Sequence, residues 1–158
     1  MNGASAFTAN QARGCRVIAP KGGTHTDLTT YIQSSSGNLD IGIYDTAGTR
    51  AAQYRTGSVV APAAGWAVLA AAPAITTSAH EQHDLVIAPD NGTMTFGRAA
   101  TSLSTTAGQL PTGFWAADGG ALPKLAWSAI TSFPLPASFT EATCVAATFT
   151  AFAMTRIA

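Results

Sequence analysis

The chain has 158 residues, enough for one domain with a core of its own and without disulfide or metal staples. Its 8 basic residues balance 8 acidic ones and only 10% of the chain is charged, which argues against a phosphate backbone or an anionic membrane surface as partner. With 15 Gly, 8 Pro and 47% apolar residues it is unlike a disordered chain, and a surface so short of Lys and Glu suits a subunit with neighbours, although an Ala-rich chain from a high-GC genome has the same composition.

The opening "MNGASAFTANQARG" is small and polar, so residues 1–14 are expected as an arm or irregular lead-in and residues 15–158 as a single domain. It lacks the basic start and apolar run of a signal peptide, and the longest apolar region is broken by Pro62, Gly65 and Pro73, so no membrane span is expected. "CRVIAP" reads as a strand. After a turn at Gly22 and Gly23, "DLTTYIQ" is a second, with Leu28, Thr30 and Ile32 on one face.

"NLDIGIYD" alternates strictly, Leu39, Ile41 and Ile43 against Asp40, Gly42 and Tyr44, which predicts a half-buried strand. "DTAG" has the Asp and Gly of a type I turn at Asp45 and Gly48, and "TRAAQYRTG" returns as the other arm of a hairpin with Arg50 and Arg55 on its wet side or edge. "GWAVLAAAPAI" is rich in helix formers, but the run between Gly65 and Pro73 is short against a usual helix length of roughly 11 residues and is expected as strand. Asp90-Asn91-Gly92 lies between "LVIA" and the alternating Met94 and Phe96, a hairpin signal.

From Ala99 to Ala129 periodicity is lost, and a long irregular loop region with at most one helical turn is expected. "SFPLPASFT" is extended by its prolines, and "TCVAATFTAFAMTRI" reads as a final strand. Roughly seven to nine short strands with regular turn signals predict an all-β, antiparallel sandwich of the jelly-roll kind.

Little in the sequence points to chemistry. His80, Glu81 and His83 lie together, but the HExxH zinc motif needs its histidines four apart on a helix, whereas these are three apart beside a strand; a solvated turn is the competing reading, and no metal is expected. Cys15 and Cys144 have no CxxC partner; a bridge between them and two buried free thiols are both open. Asp40, Asp45, Asp84, Asp90 and Asp118 are scattered singly, without the paired carboxylates of a glycosidase, and no GxSxG, GxGxxG or P-loop occurs. No enzyme and no cofactor are expected. "NGT" at Asn91 matches a glycosylation acceptor, yet turn formation explains it as well. Sugar-binding faces use flat aromatics, so Trp115 in "GFWAADGG", with Asp118 beside it and Tyr54 on the returning strand, are the glycan-contact candidates, against core packing or a subunit contact. Trp66 and Trp127 are expected to seal the sandwich.

"SGNLDIGIYDTAGTR", "VIAPDNGTMTFGR" and "SFPLPASFT", in that order over about Arg16 to Thr140, resemble β-sandwich domains of virion proteins of tailed bacteriophages, whether minor tail, tail-fibre-like or decoration proteins. The resemblance implies a non-enzymatic structural subunit on the virion exterior, at the tail tip or fibre or decorating the capsid. It implies other copies of itself, a trimer among the forms, and other virion proteins as partners, with contact to host-surface glycan and no nucleic acid or membrane. It carries over no catalytic residue, because its motifs are fold positions. A carbohydrate-binding module using loop aromatics is the alternative.

Overall fold

The computed structural model describes residues 4–18, 22–46, 49–97, 126–130, 133–140, 145–146 and 153–157. Among these residues there are thirteen strands and no helix. One sheet holds β1 (Ala4–Ala6), β3 (Gly23–Ser34), β7 (Gly65–Thr77), β9 (Thr95–Gly97) and β13 (Ala153–Ile157). The other holds β2 (Gln11–Ile18), β4 (Asn38–Tyr44), β5 (Thr49–Arg55), β6 (Val59–Val60), β8 (Gln82–Pro89), β10 (Ala126–Ile130), β11 (Ser138–Thr140) and β12 (Val145–Ala146). All their pairings are antiparallel, and the two sheets make an all-β sandwich.

The smaller sheet is built around β3. One edge of β3 takes β7 from Gly23 to Ile32; the opposite edge takes β13 and then β9. In the larger sheet β4 and β8 are central, in the order β11-β5-β4-β8-β2-β10-β12, with β6 also on β4. The core between the sheets follows from strand alternation: Leu28 and Ile32 from β3 meet Leu39, Ile41 and Ile43 from β4 and Leu85 and Ile87 from β8, with Met94 and Phe96 closing one end. Phe7 packs on Phe96 with ring centroids 5.0 Å apart, and the Arg13 guanidinium lies 4.4 Å from the Phe7 centroid.

The expected half-buried strand at 38–44 is instead buried on both faces. Asp40, Gly42 and Tyr44 do point away from Leu39, Ile41 and Ile43, but they face a second core of Ala12, Val86, Ala88, Ala129, Leu135 and Phe139. The segment 133–139 supplies the cover. Small residues make room for it: Gly42 stands opposite Val86 and Val86 opposite Gly14, so the sheet is shallow where the segment crosses.

Several other expectations change. Residues 4–14 are not a free lead-in, since β1 pairs with β9 and Gln11–Gly14 pair with both β10 and, from Arg13, β8. Asp90-Asn91-Gly92 is not the turn of a hairpin: β8 pairs with β2 and β4, β9 with β1 and β3, so the turn carries the chain from one sheet to the other. Neither Asn91 nor Gly92 has the positive φ that a two-residue hairpin turn of type I′ requires. The loop expected up to Ala129 already contains β10, and the single final strand is divided between β12 in one sheet and β13 in the other. The remainder of that loop, and any bond to Cys144, lie outside the described residues. The β4–β5 hairpin forms as expected, and "GWAVLAAAPAI" is strand, extending through Pro73 to Thr77.

Gly42 is required by close approach. A Cβ there would lie 2.7 Å from Cε2 of Tyr44 and 3.0 Å from the carbonyl oxygen of Tyr54. The Tyr54 backbone is held in register with Ile43, so the 3.0 Å contact is with main chain rather than with a flexible side-chain end. We expect Gly42→Ala to lower stability by about 1–3 kcal/mol through overpacking. Chemical denaturation checks this, and an unchanged midpoint would contradict the packing described.

Candidate association surface

Two sets of side chains stand out, one turned inward and one outward. The inward set begins with Asp40, fully buried on the second face of β4. Its Oδ1 accepts from Thr56 Oγ1 at 3.0 Å and its Oδ2 from the Leu135 N–H at 2.9 Å. Thr56 is itself fixed by the Ile41 N–H, which donates to Oγ1 at 2.9 Å, and by its own N–H to the Ile41 carbonyl at 2.8 Å. Burial pushes the Asp40 carboxyl above its ordinary value; the bonds from Thr56, Leu135 and Gly57 and the Arg55 charge pull it part of the way back.

The neighbours of Asp40 grip the same segment. Tyr44 Oη donates to the Pro136 carbonyl at 2.6 Å, Arg55 Nη1 donates to the Leu135 carbonyl, and the Ala52 N–H donates to the Ala137 carbonyl at 2.8 Å. The Tyr44 ring meets Phe139 edge-on, with centroids 5.1 Å apart. Burial raises the Tyr44 phenol above its usual range, so it remains a donor. Arg16 Nε lies 3.2 Å from Asp84 Oδ1 in a buried pair, with Tyr44 and Arg16 opposite Asp84 on its two sides. "NLDIGIYD", "AQYRT" and "FPLPASF" thus form one polar frame whose groups bind one another's side chains and main chain.

The outward set lies on the outer face of the smaller sheet. Trp66 is 51% exposed and Val68 58%, an unusual display for large apolar side chains on adjacent same-face positions of a strand. Tyr31 is the register partner of Trp66, and their rings meet edge-to-face with centroids 5.4 Å apart. Thr29 stands opposite Val68 in the same row. Val60 on β6 is also exposed.

The roles expected of two aromatics are exchanged. Tyr54, a glycan-contact candidate, is turned into the core, where its Oη donates to the Ala70 carbonyl at 3.0 Å; Trp66, expected to seal the sandwich, stands outside. Trp115 and Asp118 lie outside the described residues, and so does Trp127 apart from its backbone pairing in β10. Alternation within "GWAVLA" separates Trp66 and Val68 from Ala67 and Leu69, but both sets are apolar, so the pattern alone does not say which faces water.

The other candidates resolve as local structure. Glu81 Oε2 accepts from the Ser78 N–H at 2.7 Å in a turn with His80 at positive φ, while His83 is already buried in β8. Among the described residues no group of three or more His, Cys, Asp or Glu could hold a metal ion. His25 donates to or accepts from Thr77 Oγ1 at 2.8 Å, and burial, with the nearby His83, lowers its pKa. Asn91 is occupied: its Oδ1 accepts from the Thr93 and Met94 N–H groups and its Nδ2 donates to the Ser36 carbonyl, which explains the residue without glycosylation.

Comparison with known proteins finds no matching family model, curated relative or solved structure.

The frame gives a signed pH dependence. The folded chain holds the Asp40 proton more tightly than the unfolded chain, so the stability attached to this group falls as pH rises from about 3.9 toward the raised folded value and then levels off. We expect Asp40→Asn, which keeps an acceptor for Leu135, to lose that slope. Asp40→Ala, which leaves the Leu135 N–H without its acceptor, should cost about 1–3 kcal/mol at neutral pH. Denaturation curves of the three proteins between pH 4 and 7 check both; a wild-type curve parallel to that of Asp40→Asn would contradict the burial of the charge.

Proposed function

We propose that this chain is a non-enzymatic structural subunit of the exterior of a tailed-bacteriophage virion, associated with the tail tip or fibre or decorating the capsid. It works by presenting a rigid sandwich whose low-charge faces pack against neighbouring subunits. The observation that supports assembly is the Tyr31–Trp66–Val68 row. Burying such a row against a neighbour gains roughly 25 cal/mol per Å² of apolar surface. The virion setting is supported by the resemblance of the motifs. The frame agrees with it in one respect: Asp40, Tyr44, Arg55 and Leu135 act on one another as fold positions.

One observation favours a second reading, a carbohydrate-binding module. The edge-to-face Tyr31–Trp66 pair offers an aromatic platform of the kind on which sugar rings stack. This reading places the platform on the sheet rather than on a loop.

Mass photometry of the purified chain, alone and mixed with virions or empty capsids, tests the first reading. We expect an oligomer or particle-bound protein, with Trp66→Ala weakening the association at least tenfold. A monomer that ignores both kinds of particle, together with glycan-array binding abolished by Trp66→Ala, would replace the first reading with the second.

A further inference from the structure

We propose that His25 is an acid-sensitive latch: a neutral imidazole between the two sheets fastens the far end of β7, and protonating it releases that end from β3 about a bulge. The latch goes beyond the assembly reading and does not depend on it.

The pairing of β7 with β3 comes in two pieces. From Gly65 to Ala70 it is regular, facing Ile32 to Asp27 one for one. It resumes only at Ile75, opposite His25, and ends with Thr76 opposite Thr24 and Thr77 opposite Gly23. Between the pieces Ala71 to Ala74 stand opposite Thr26 alone, and Pro73 among them has no N–H to give. The far end, 75–77, is thus a short run of pairs joined to the rest of the strand through an interrupted ladder. Such a piece opens at lower cost than the whole strand.

What fastens it is a layer of side chains. Ile75 belongs to the core between the sheets, so His25, its register partner, points the same way. His25 is buried, and its Nε2 lies 2.8 Å from Thr77 Oγ1. His83, also buried and in line with Leu85 and Ile87 on β8, approaches from the larger sheet closely enough for its charge to be felt at His25. The bond to Thr77 sets the cheaper tautomer. With the proton on Nε2 that nitrogen donates to the hydroxyl, and Nδ1 keeps only a lone pair without a partner. A second proton turns Nδ1 into a buried N–H with no acceptor, on a charged ring.

Among the described residues no opposite charge faces His25. β7 carries no charged residue from Gly65 to Thr77. On β3, Asp27 lies across the bulge and next to the inward Leu28, on the other face of the strand. β13 sets Ile157 beside His25 and Arg156 beside Asp27. On β2, Val17 is the partner of His83, and Arg16 is paired with Asp84 on the second face. The remaining acids are nearer His83: Glu81 Oε2 is 3.7 Å from its Nε2, and Asp45 follows Tyr44, the partner of Asp84. His80 is exposed in the turn.

Burial first, and then His83, hold the His25 pKa below its ordinary value. Once the end opens, the ring is in water and titrates near about 6.5. The open form therefore takes the proton more readily. The latch is at full strength above about pH 6.5, weakens as pH falls from there toward the lowered folded value, and changes no further below it.

Hydrogen exchange, expressed as protection relative to an unstructured chain, tests the latch. Between about pH 7.5 and about pH 5 we expect 75–77 to lose protection by about three- to tenfold and to end less protected than 66–70 on the same strand. His25→Gln keeps a donor for Thr77 and cannot be charged, so it should remove the loss; Asp40 and the other carboxylates are common to both chains and cancel in the comparison. A loss that persists in H25Q, or equal protection of 75–77 and 66–70 at the lower pH, would overturn the proposal. Titration of the assigned His25 ring signals by NMR needs no variant and stands even where H25Q fails to fold. A midpoint below about 6.5 is expected, and one at or above it would overturn the latch.

Discussion

The buried carboxylate of Asp40 is the constraint on which the rest of the structure turns. Removing an ionised carboxylate from water costs several kcal/mol unless hydrogen bonds replace the lost solvation. On the second face of β4 the replacements come from the Thr56 hydroxyl and the Leu135 N–H, and no water-facing alternative exists at that position. Satisfying Asp40 therefore fixes both the end of the β4–β5 hairpin and the path of a segment about a hundred residues later in the chain. Once Leu135 is held, Tyr44, Arg55 and Ala52 take up the following carbonyls, and β11 joins β5.

The two sheets differ in how their outer faces are covered. The larger sheet is covered on both faces, by the smaller sheet on one side and by 133–139 on the other around its centre. The smaller sheet has its inner face in the core and displays Tyr31, Trp66 and Val68 outward. A chain with so few charges would ordinarily be expected to place polar groups at such a position; it places an aromatic pair and a valine there instead. On the proposed reading, the polar frame holds the shape of one side and the apolar row on the other packs against a neighbour.

Much of this was legible in the sequence, and the exceptions have physical reasons. The β4–β5 hairpin, the inward row of Leu28, Thr30 and Ile32, and the strand character of "GWAVLA" follow from period-2 patterning and from Pro and Gly placement. The same patterning misleads at Asp40, because alternation reports which residues share a face, and a polar residue on the second face looks wet when its partners are distant in sequence. Asn91-Gly92 has the composition of a hairpin turn, but the Asn91 side chain caps Thr93 and Met94 and turns the chain between sheets. Residues 4–14 are weakly patterned, and the partners of their strand residues, β9 for β1 and β8 and β10 for β2, lie far along the chain, where alternation does not report them. Tyr54 and Trp66 were exchangeable on hydropathy. The difference lies in the Ala70 carbonyl, which gives the Tyr54 hydroxyl a partner inside.

Native-state amide hydrogen exchange at Leu135 tests the central claim most directly. An N–H buried against the Asp40 carboxylate exchanges only when the frame opens, so the account predicts that Leu135 is protected to the same degree as Ile41 in the middle of β4. A Leu135 amide that exchanges at close to the rate of an unstructured chain, while Ile41 stays protected, would contradict it: the 133–139 segment would then be a loop lying on the sheet rather than the clasp that closes it.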